Sequence, residues 1–148
     1  NQIVISGGIE SVNLACERAL SSGAKRAIKL DVSVPSHCSL MKSASEELSA
    51  ILSDIQIKKP NIPVVHNVDG ECSSDVKEIK DKLSRQLFSP VFWQKSVTNI
   101  IRGGCELFVE CGPNKVLTTM LKRIDKNCRG FSLASVDDIN KFNEYLRK

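Results

Sequence analysis

Short apolar runs alternate with amphipathic helical stripes along almost the whole sequence, and this alternation limits the chain to few folds. A last helix is predicted from Asp137, and the apolar stripes of the others begin at Ile9, Met41, Val76, Trp93 and Val116. Ser89 as N-cap and Pro90 at the first helical position predict where the helix that contains Trp93 begins. The predicted strands cover residues 2–5, 27–32, 63–68, 105–111 and 131–134. Strands that alternate with helices over this length predict an α/β fold, with a mainly parallel sheet in the second part of the chain.

The composition is that of an ordinary globular protein. The chain has 148 residues, enough for a real core, with 41% hydrophobic and 26% charged residues. No apolar run reaches the roughly 18 residues of a membrane span, so we expect no membrane association. One Trp, one Tyr and five Phe, with no basic cluster among them, argue against nucleic-acid binding. The net charge of +4 suits an acidic partner.

The six cysteines favour a reducing compartment. They form no Cys-x-x-Cys pair and have no histidine at zinc-like spacing, so we expect neither a metal site nor disulfide bonds. We therefore predict a cytoplasmic protein, or an organellar one in a eukaryotic source. Cys38 stands beside a histidine, where a reactive thiol is one interpretation, but no third orienting group is near it in the sequence. A packing role is the favoured interpretation of Cys38.

A predicted strand meets a predicted helix at Val34-Pro35-Ser36-His37-Cys38-Ser39-Leu40-Met41. Histidine is the side chain that commonly exchanges a proton near neutral pH, and the chain has two, His37 and His66. A histidine at such a junction is held by backbone on both sides, and its imidazole can face the cleft beyond the carboxyl end of a sheet. These residues alone fit a general base or a histidine with one structural hydrogen bond, and the second is more ordinary.

Five further segments accompany the histidine segment, two upstream and three downstream. They are Gln2-Ile3-Val4-Ile5-Ser6-Gly7, Gly23-Ala24-Lys25-Arg26-Ala27, Pro63-Val64-Val65-His66-Asn67-Val68-Asp69, Arg85-Gln86-Leu87-Phe88-Ser89-Pro90-Val91-Phe92-Trp93 and Glu110-Cys111-Gly112-Pro113-Asn114-Lys115-Val116-Leu117. In this order and at this spacing the set resembles the malonyl-CoA:acyl carrier protein transacylases, the loading enzymes of fatty acid synthesis. Each segment alone is weak, but together they span nearly the whole chain and form a specific signal.

The resemblance implies an acyltransferase that moves malonyl from CoA to the phosphopantetheine thiol of acyl carrier protein by a ping-pong mechanism. His37 is then the base that takes the proton of a serine nucleophile and returns it to the leaving thiol. The family holds this imidazole by a backbone carbonyl at the position of Gln86, where the usual triad has an aspartate. Malonyl-CoA is implied as substrate, with no bound cofactor and no metal. The alternative for Gln86 is a polar residue in the last turn of a helix.

The resemblance also suggests binding roles for five residues. Ser36 matches a pocket position beside the acyl group, where a small residue leaves room, and an N-cap hydroxyl for the following helix is its alternative. Lys25, Arg26, Lys122 and Arg123 match basic positions near the family's cleft, where they would contact the acidic carrier protein or the CoA phosphates. The ordinary alternative for these four is a solvated surface. The second histidine, at position 66, stands where the bacterial family usually has asparagine.

Much of the family's catalytic machinery is not found in this sequence. None of the eight glycines lies in the Gly-x-Ser-x-Gly elbow, and the family's arginine for the malonyl carboxylate and its oxyanion-hole glutamine belong to the same upstream region. We expect residues 1–32 to form the second half of a ferredoxin-like small subdomain, and residues 33–148 the carboxyl-terminal part of an α/β-hydrolase-like large subdomain. The missing amino-terminal half is then a required partner, and the isolated chain is predicted to be inactive.

Two other functions fit the same segments. One is the acyltransferase domain of a polyketide or fatty acid synthase, although the Val-Pro-Ser-His form at residues 34–37 favours a stand-alone enzyme. The other is a non-catalytic remnant that binds carrier protein or serves as a structural part. An elbow serine encoded upstream in the gene would support the enzyme, and its absence there would support the remnant.

Overall fold

The computed structural model describes residues 3–147 and shows an α/β chain. The helices are α1 Ile9–Ser21, α2 Lys42–Asp54, α3 Val76–Arg85, α4 Trp93–Arg102, α5 Val116–Ile124 and α6 Val136–Leu146, and one turn of 3-10 helix, Ser39–Met41, leads into α2. The strands are β1 Val64–Val65, β2 Cys72–Ser73, β3 Leu107–Glu110 and β4 Arg129–Ser132. Among residues 3–147, none of the helices has the length and apolar character needed to cross a bilayer.

The chain divides into two compact units, the first ending at Phe92 and the second beginning at Trp93. This division differs from the predicted boundary between residues 32 and 33. The predicted boundary concerned subdomains of a larger enzyme, and that assignment stays a prediction.

The first unit contains a hairpin, β1–β2, and the packed helices α2 and α3. The strands pair antiparallel, and Gly70 supplies the left-handed conformation of the turn with φ 72°. Asp75 caps α3, since its carboxylate accepts the Glu78 N–H at 2.8 Å. Between the helices, the buried Ser45 hydroxyl donates to the Ser84 carbonyl at 2.8 Å. The bond between Ser45 and Ser84 holds the end of α3 near the start of α2.

The second unit is built on a parallel pair of strands. Phe108 of β3 lies opposite Gly130 of β4, and α5 connects the two strands. The buried core consists of Val97, Leu121 and Cys128, with Trp93, Ile101, Phe108 and Ile124 packed against it. The parallel arrangement predicted for the second part of the chain is confirmed for these two strands.

The strands predicted near the start of the chain are wrong where the structure describes them. Gln2 lies outside the described residues, and neither 3–5 nor 27–32 belongs to a sheet. A strand needs a neighbour that completes its backbone hydrogen bonds, and no described segment pairs with either stretch. The Leu30 carbonyl instead accepts the Val32 N–H at 3.0 Å in a tight turn. The strands predicted at 63–68 and 105–111 are shorter than expected for the same reason, because pairing covers only part of each apolar run. The last strand has the predicted length of four residues but begins two residues earlier, at Arg129.

The predicted start of α4 is also wrong. The sequence predicts Ser89 as N-cap and Pro90 as the first helical residue, but the helix begins at Trp93. The Phe92 N–H donates to the Asn67 carbonyl in the hairpin turn at 2.8 Å. A contact distant in sequence therefore fixes the backbone ahead of the helix and overrides the local cap signal.

Candidate active site

His37 lies in a tight turn ahead of the 3-10 helix and adopts a left-handed backbone conformation. Its φ is 66°, and no other non-glycine residue among residues 3–147 has a positive φ. Such a conformation costs on the order of 1–3 kcal/mol and persists only where the surroundings hold it. The His37 N–H donates to the Leu87 carbonyl at 2.8 Å. This bond ties the strained turn to the chain that follows α3.

A second carbonyl fixes the imidazole ring. Nδ1 of His37 lies 2.9 Å from the carbonyl oxygen of Gln86, and a carbonyl oxygen only accepts hydrogen bonds. Nδ1 therefore carries the proton, and Nε2 of the neutral ring keeps its lone pair. The residue is solvent-exposed, so a reacting group can approach it. One fixed nitrogen and one open nitrogen make an arrangement suited to a general base.

Both carbonyls reach His37 because α3 ends beside it. The last carbonyls of a helix have no partner within the helix, and Gln86 is the C-cap residue of α3. The Leu87 N–H bonds the Ser84 carbonyl at 3.3 Å, and the Arg85 carbonyl accepts the N–H groups of Phe88 and Ser89 at 3.2 and 3.0 Å. The carbonyls of Gln86 and Leu87 are the ones that bind His37. The expected contact between His37 and Gln86 is thus present. It uses the main chain of Gln86, so the glutamine side chain is not what the bond requires.

An ion-pair network around the buried Lys82 joins α3 to the hairpin turn, and the sequence pattern did not predict it. The Lys82 ammonium lies 3.0 Å from the Asp69 carboxylate in the turn and 2.8 Å from the Glu78 carboxylate on α3. Ser73 of β2 donates to the other oxygen of Glu78 at 2.6 Å. Lys82 is only 4% exposed. The one sequence signal is the spacing of four residues between Glu78 and Lys82, which is typical of solvated helix surfaces.

The charges of this network stabilise one another. Burial opposes the charge of Lys82, but hydrogen bonds to Glu78 and Asp69 outweigh it and raise the pKa of the ammonium. Burial likewise opposes ionisation of Asp69, yet hydrogen bonds from the Glu71 N–H and from Lys82 lower its pKa overall. Hydrogen bonds from Lys82 and Ser73 lower the pKa of Glu78. One cation therefore lies between two carboxylates throughout the neutral pH range.

His66 is buried in the hairpin turn next to these charges. Its Nε2 atom has no hydrogen-bond partner among the described residues. Burial, and then the charge of Lys82, lower the pKa of His66, so the ring is neutral at neutral pH. Within residues 3–147, no three His, Cys, Asp or Glu side chains gather into a metal site. His66 is therefore a packed neutral residue of the turn.

Ser36 and Cys38 flank His37 without joining its hydrogen bonds. Ser36 is exposed, and its carbonyl accepts a hydrogen bond from the Ser6 hydroxyl. The N-cap interpretation of Ser36 is wrong, because helical structure begins at Ser39 with Cys38 in the cap position and no side-chain cap bond. The half-buried Cys38 thiol donates to the Pro35 carbonyl at 3.2 Å. That contact fits the packing role expected for Cys38.

The four basic residues expected at a carrier-protein surface are all exposed but belong to different units. Lys25 and Arg26 follow α1 in the first unit. Lys122 and Arg123 occupy the last turn of α5 in the second unit. Positive charge in a last helical turn also complements the helix dipole, so exposure alone does not distinguish the two interpretations of the second pair.

An open groove of about 430 Å³ in the second unit adds positive charge near this pair. Lys122 lines it together with Lys115 and Lys141. Asp138 also lines the groove, and a hydrogen bond from Ser135 lowers the pKa of its carboxyl. With three lysines against one carboxylate, the groove keeps an excess of positive charge.

Comparisons with known proteins give a consistent result, although no protein-family model matches the chain. This chain is 50% identical over 123 residues to the malonyl CoA-acyl carrier protein transacylase of Salmonella typhimurium, a match that covers 83% of this chain and 40% of the relative. The enzyme of that name from Haemophilus influenzae is 42% identical over 145 residues, which cover 98% of this chain and 46% of the relative.

Solved structures agree with the sequence relatives. The acyl-carrier-protein S-malonyltransferase of Burkholderia pseudomallei superimposes with a TM-score of 0.89 at 42% identity, over 93% of this chain and 45% of that one. A malonyl-transacylase solved in complex with a type II PKS acyl-carrier protein gives a TM-score of 0.91 at 37% identity, over 94% and 45%.

The matches cover the chain almost completely but reach only part of each relative. The chain spans less than half the length of these relatives, and the aligned region is their carboxyl-terminal part. Fold and sequence agree over that region, at identities between 36% and 50% among the curated relatives. The chain therefore corresponds, in sequence and in fold, to the carboxyl-terminal part of the malonyl CoA-acyl carrier protein transacylases.

Proposed function

We propose that this chain supplies the histidine base of a malonyl-CoA:acyl carrier protein transacylase in fatty acid biosynthesis. The observation that carries the proposal is the 2.9 Å hydrogen bond between His37 Nδ1 and the Gln86 carbonyl, in a chain whose relatives have that name. The reaction exchanges one thioester for another, with malonyl-CoA as the donor and the phosphopantetheine thiol of acyl carrier protein as the acceptor. This chemistry calls for a base and a nucleophile and for no cofactor.

The proposed reaction proceeds in two halves. In the first, Nε2 of His37 takes the proton of a serine hydroxyl, the serine oxygen attacks the malonyl carbonyl, and the C–S bond breaks as the CoA sulfur receives that proton. In the second, the carrier thiol gives its proton to Nε2 and its sulfur attacks the malonyl-serine ester. The serine oxygen then leaves and takes the proton back. The Gln86 carbonyl keeps Nδ1 protonated throughout, so Nε2 handles every proton.

The serine is proposed to come from an amino-terminal half that packs against this chain. Ile3 is 89% exposed, Ile9 79% and Val32 72%, and apolar surface of this kind is normally covered in a folded protein. The matched relatives are more than twice as long as the aligned region. With that half in place, residues 1–32 would complete a ferredoxin-like small subdomain, and residues 33–148 an α/β-hydrolase-like large one.

Carrier protein is the proposed partner of the basic residues. Lys25, Arg26, Lys122 and Arg123 are exposed, and the lysine-lined groove of the second unit suits an acidic surface. A structural relative is a complex of a transacylase with its acyl-carrier protein, which supports this assignment. Ser36, small and exposed beside the base, is proposed to border the acyl group.

Transfer of labelled malonyl from CoA to acyl carrier protein tests the proposal. The assay compares this chain alone with a fusion protein, in which the amino-terminal part of the Salmonella typhimurium transacylase precedes it. We expect no transfer by the chain alone and transfer by the fusion. His37→Ala should lower the fusion's kcat by about 10²–10⁴-fold, the usual contribution of a positioned base. Glu46→Ala, an exposed change on α2, is the matched control.

The outcomes separate the competing functions. Full activity of the folded His37→Ala fusion would refute the role of the base. A folded fusion that binds carrier protein but transfers nothing would favour a non-catalytic binding remnant. The relative solved with a type II PKS carrier supports a second candidate, an acyltransferase of polyketide synthesis, and a marked preference for such a carrier over the fatty acid carrier would indicate it.

A further inference from the structure

The position of His37 depends on where α3 ends, so whatever fixes α3 fixes the base. His37 is bound to the carbonyls of Gln86 and Leu87. The preceding turn of the helix contains Lys82, whose carbonyl accepts the Gln86 N–H at 3.0 Å. Lys82 is thus joined through one helical hydrogen bond to the residue that orients the imidazole.

α3 is held in place by contacts with α2 and by a contact with the β1–β2 hairpin. The Ser45 hydroxyl bonds the Ser84 carbonyl, and the Lys80 ammonium bonds the Ser53 carbonyl at 3.3 Å. Both join α3 to α2, the helix that directly follows the His37 turn. These bonds keep α3 close to His37, but they do not fix α3 relative to the β1–β2 hairpin.

Lys82 makes the contact between α3 and the β1–β2 hairpin. The ion pair between Lys82 and Asp69 crosses from α3 to the turn at 3.0 Å, whereas the pair with Glu78 stays within the helix. The Asp69 carboxylate is itself fixed by the Glu71 N–H at 2.9 Å. The same turn holds the chain beyond α3, where the Phe92 N–H meets the Asn67 carbonyl at 2.8 Å. The turn therefore binds the chain both before and after the two carbonyls that hold His37.

We propose that the buried Lys82, through its ion pair with Asp69, is a positioning residue for His37. It fixes the end of α3 against the hairpin turn, so that the Gln86 carbonyl faces Nδ1 and Nε2 remains the basic nitrogen. The inference rests on the proposed function for its catalytic meaning, but the placement of the ring can be tested without activity.

The first test measures directly which nitrogen of the His37 ring carries the proton. Long-range ¹H–¹⁵N NMR of histidine nitrogens distinguishes a ring protonated at Nδ1 from one protonated at Nε2, and the chain has only two histidines. We expect the unmodified chain at pH 8 to show His37 protonated at Nδ1. In Lys82→Met and in Asp69→Asn, the signals should shift toward a mixture of both forms. Lys77→Met and Asp81→Asn, exposed changes on the same helix, should leave the His37 signals unchanged.

The second test uses the fusion protein and separates positioning from binding. Misplacement of a base costs rate, so Lys82→Met and Asp69→Asn should lower kcat on the order of ten- to a hundredfold with KM for malonyl-CoA unchanged. Lys82→Arg keeps the charge between the two carboxylates and should recover much of the lost kcat. A fall caused by partial unfolding would instead remove active molecules without altering the NMR form of His37 in the folded ones.

Several outcomes would overturn the inference. They are an Nδ1-protonated His37 in folded Lys82→Met and Asp69→Asn chains, unchanged kcat in both fusion variants, and unfolding of every variant that breaks the pair, which would make the network a general stability element. A ring placed as expected in a fusion that transfers no malonyl would refute the proposed function and leave the positioning role intact.

Discussion

His37 shows that a structural and a catalytic interpretation of one histidine need not compete. At the level of the residue, its sequence position fits either a base or a ring with one structural hydrogen bond. The structure gives the hydrogen bond, from Nδ1 to the Gln86 carbonyl, and that bond is what leaves Nε2 free to accept a proton. The left-handed backbone at φ 66° serves the same end, since it lets one residue bind two successive carbonyls.

The main-chain origin of the Gln86 bond leads to a prediction. Gln86→Ala keeps the carbonyl, so we expect it to lower the kcat of the fusion protein by less than about tenfold, far below the loss expected for His37→Ala. Steady-state kinetics of the two variants, side by side, measure the difference. Equal losses would show that the glutamine side chain itself takes part in the reaction.

At the level of elements, the sequence predicts helices better than strands, for a physical reason. An amphipathic stripe is a local property, so the helices begin near where their stripes predict. A strand also requires a partner, and the apolar run at 27–32 pairs with none of the described residues. The late start of α4 has a similar cause, because the Asn67 carbonyl that binds Phe92 is distant in sequence.

Some residues of the candidate site can be predicted from the sequence and others cannot. The resemblance of short segments predicted both His37 and Gln86, and their contact is present. The ion-pair network was not predicted, because the partner of Lys82 in the hairpin turn becomes visible only when the turn meets α3. Sequence spacing alone assigns Lys82 and Glu78 to an ordinary surface pair.

The packing of α5 on β4 gives a prediction for the second unit. A Cβ at Gly130 would lie 3.1 Å from Leu121 Cδ2 and 3.2 Å from Thr118 Cγ2, both on α5. We expect Gly130→Ala to destabilise the protein by about 1–3 kcal/mol, as overpacking does. Urea unfolding measures this, with Gly112→Ala as control, since a Cβ at Gly112 would meet nothing within 4 Å. Equal midpoints for both variants would contradict the close packing.

At the level of the whole molecule, the chain holds His37 by its own main-chain carbonyls but leaves much apolar surface open. The exposed apolar side chains include Ile3, Ile9 and Val32 in its first 32 residues, while Lys82, at the centre of the ion-pair network, is buried. The contacts that hold His37 are therefore all built within this chain. We expect the amino-terminal half, which is proposed to bring the nucleophile, to pack on the open apolar surface.

The ion-pair network around Lys82 predicts how stability depends on pH. The pKa of Asp69 and that of Glu78 are lowered in the folded chain. Their contribution to the free energy of unfolding is therefore present above their unfolded-state pKa values near 4, and it is lost as the pH falls through their folded-state pKa values. The pKa of Lys82 is raised. Its contribution is complete below the unfolded value near 10.4 and is lost as pH rises through the folded one.

His66 adds a step between these limits. Its pKa is lowered in the folded chain, first by burial and then by Lys82, so the unfolded chain takes up this proton near pH 6.5 and the folded chain only at lower pH. Stability should therefore fall as pH drops from about 7 toward 5. His66→Asn should remove this step but keep the later fall below about pH 4.5, where the carboxylates titrate. Urea midpoints of the fusion protein from pH 8 to pH 4, with and without His66→Asn, measure the effect. Parallel curves for the two proteins between pH 7 and pH 5 would show that the His66 ring is not held neutral by the fold.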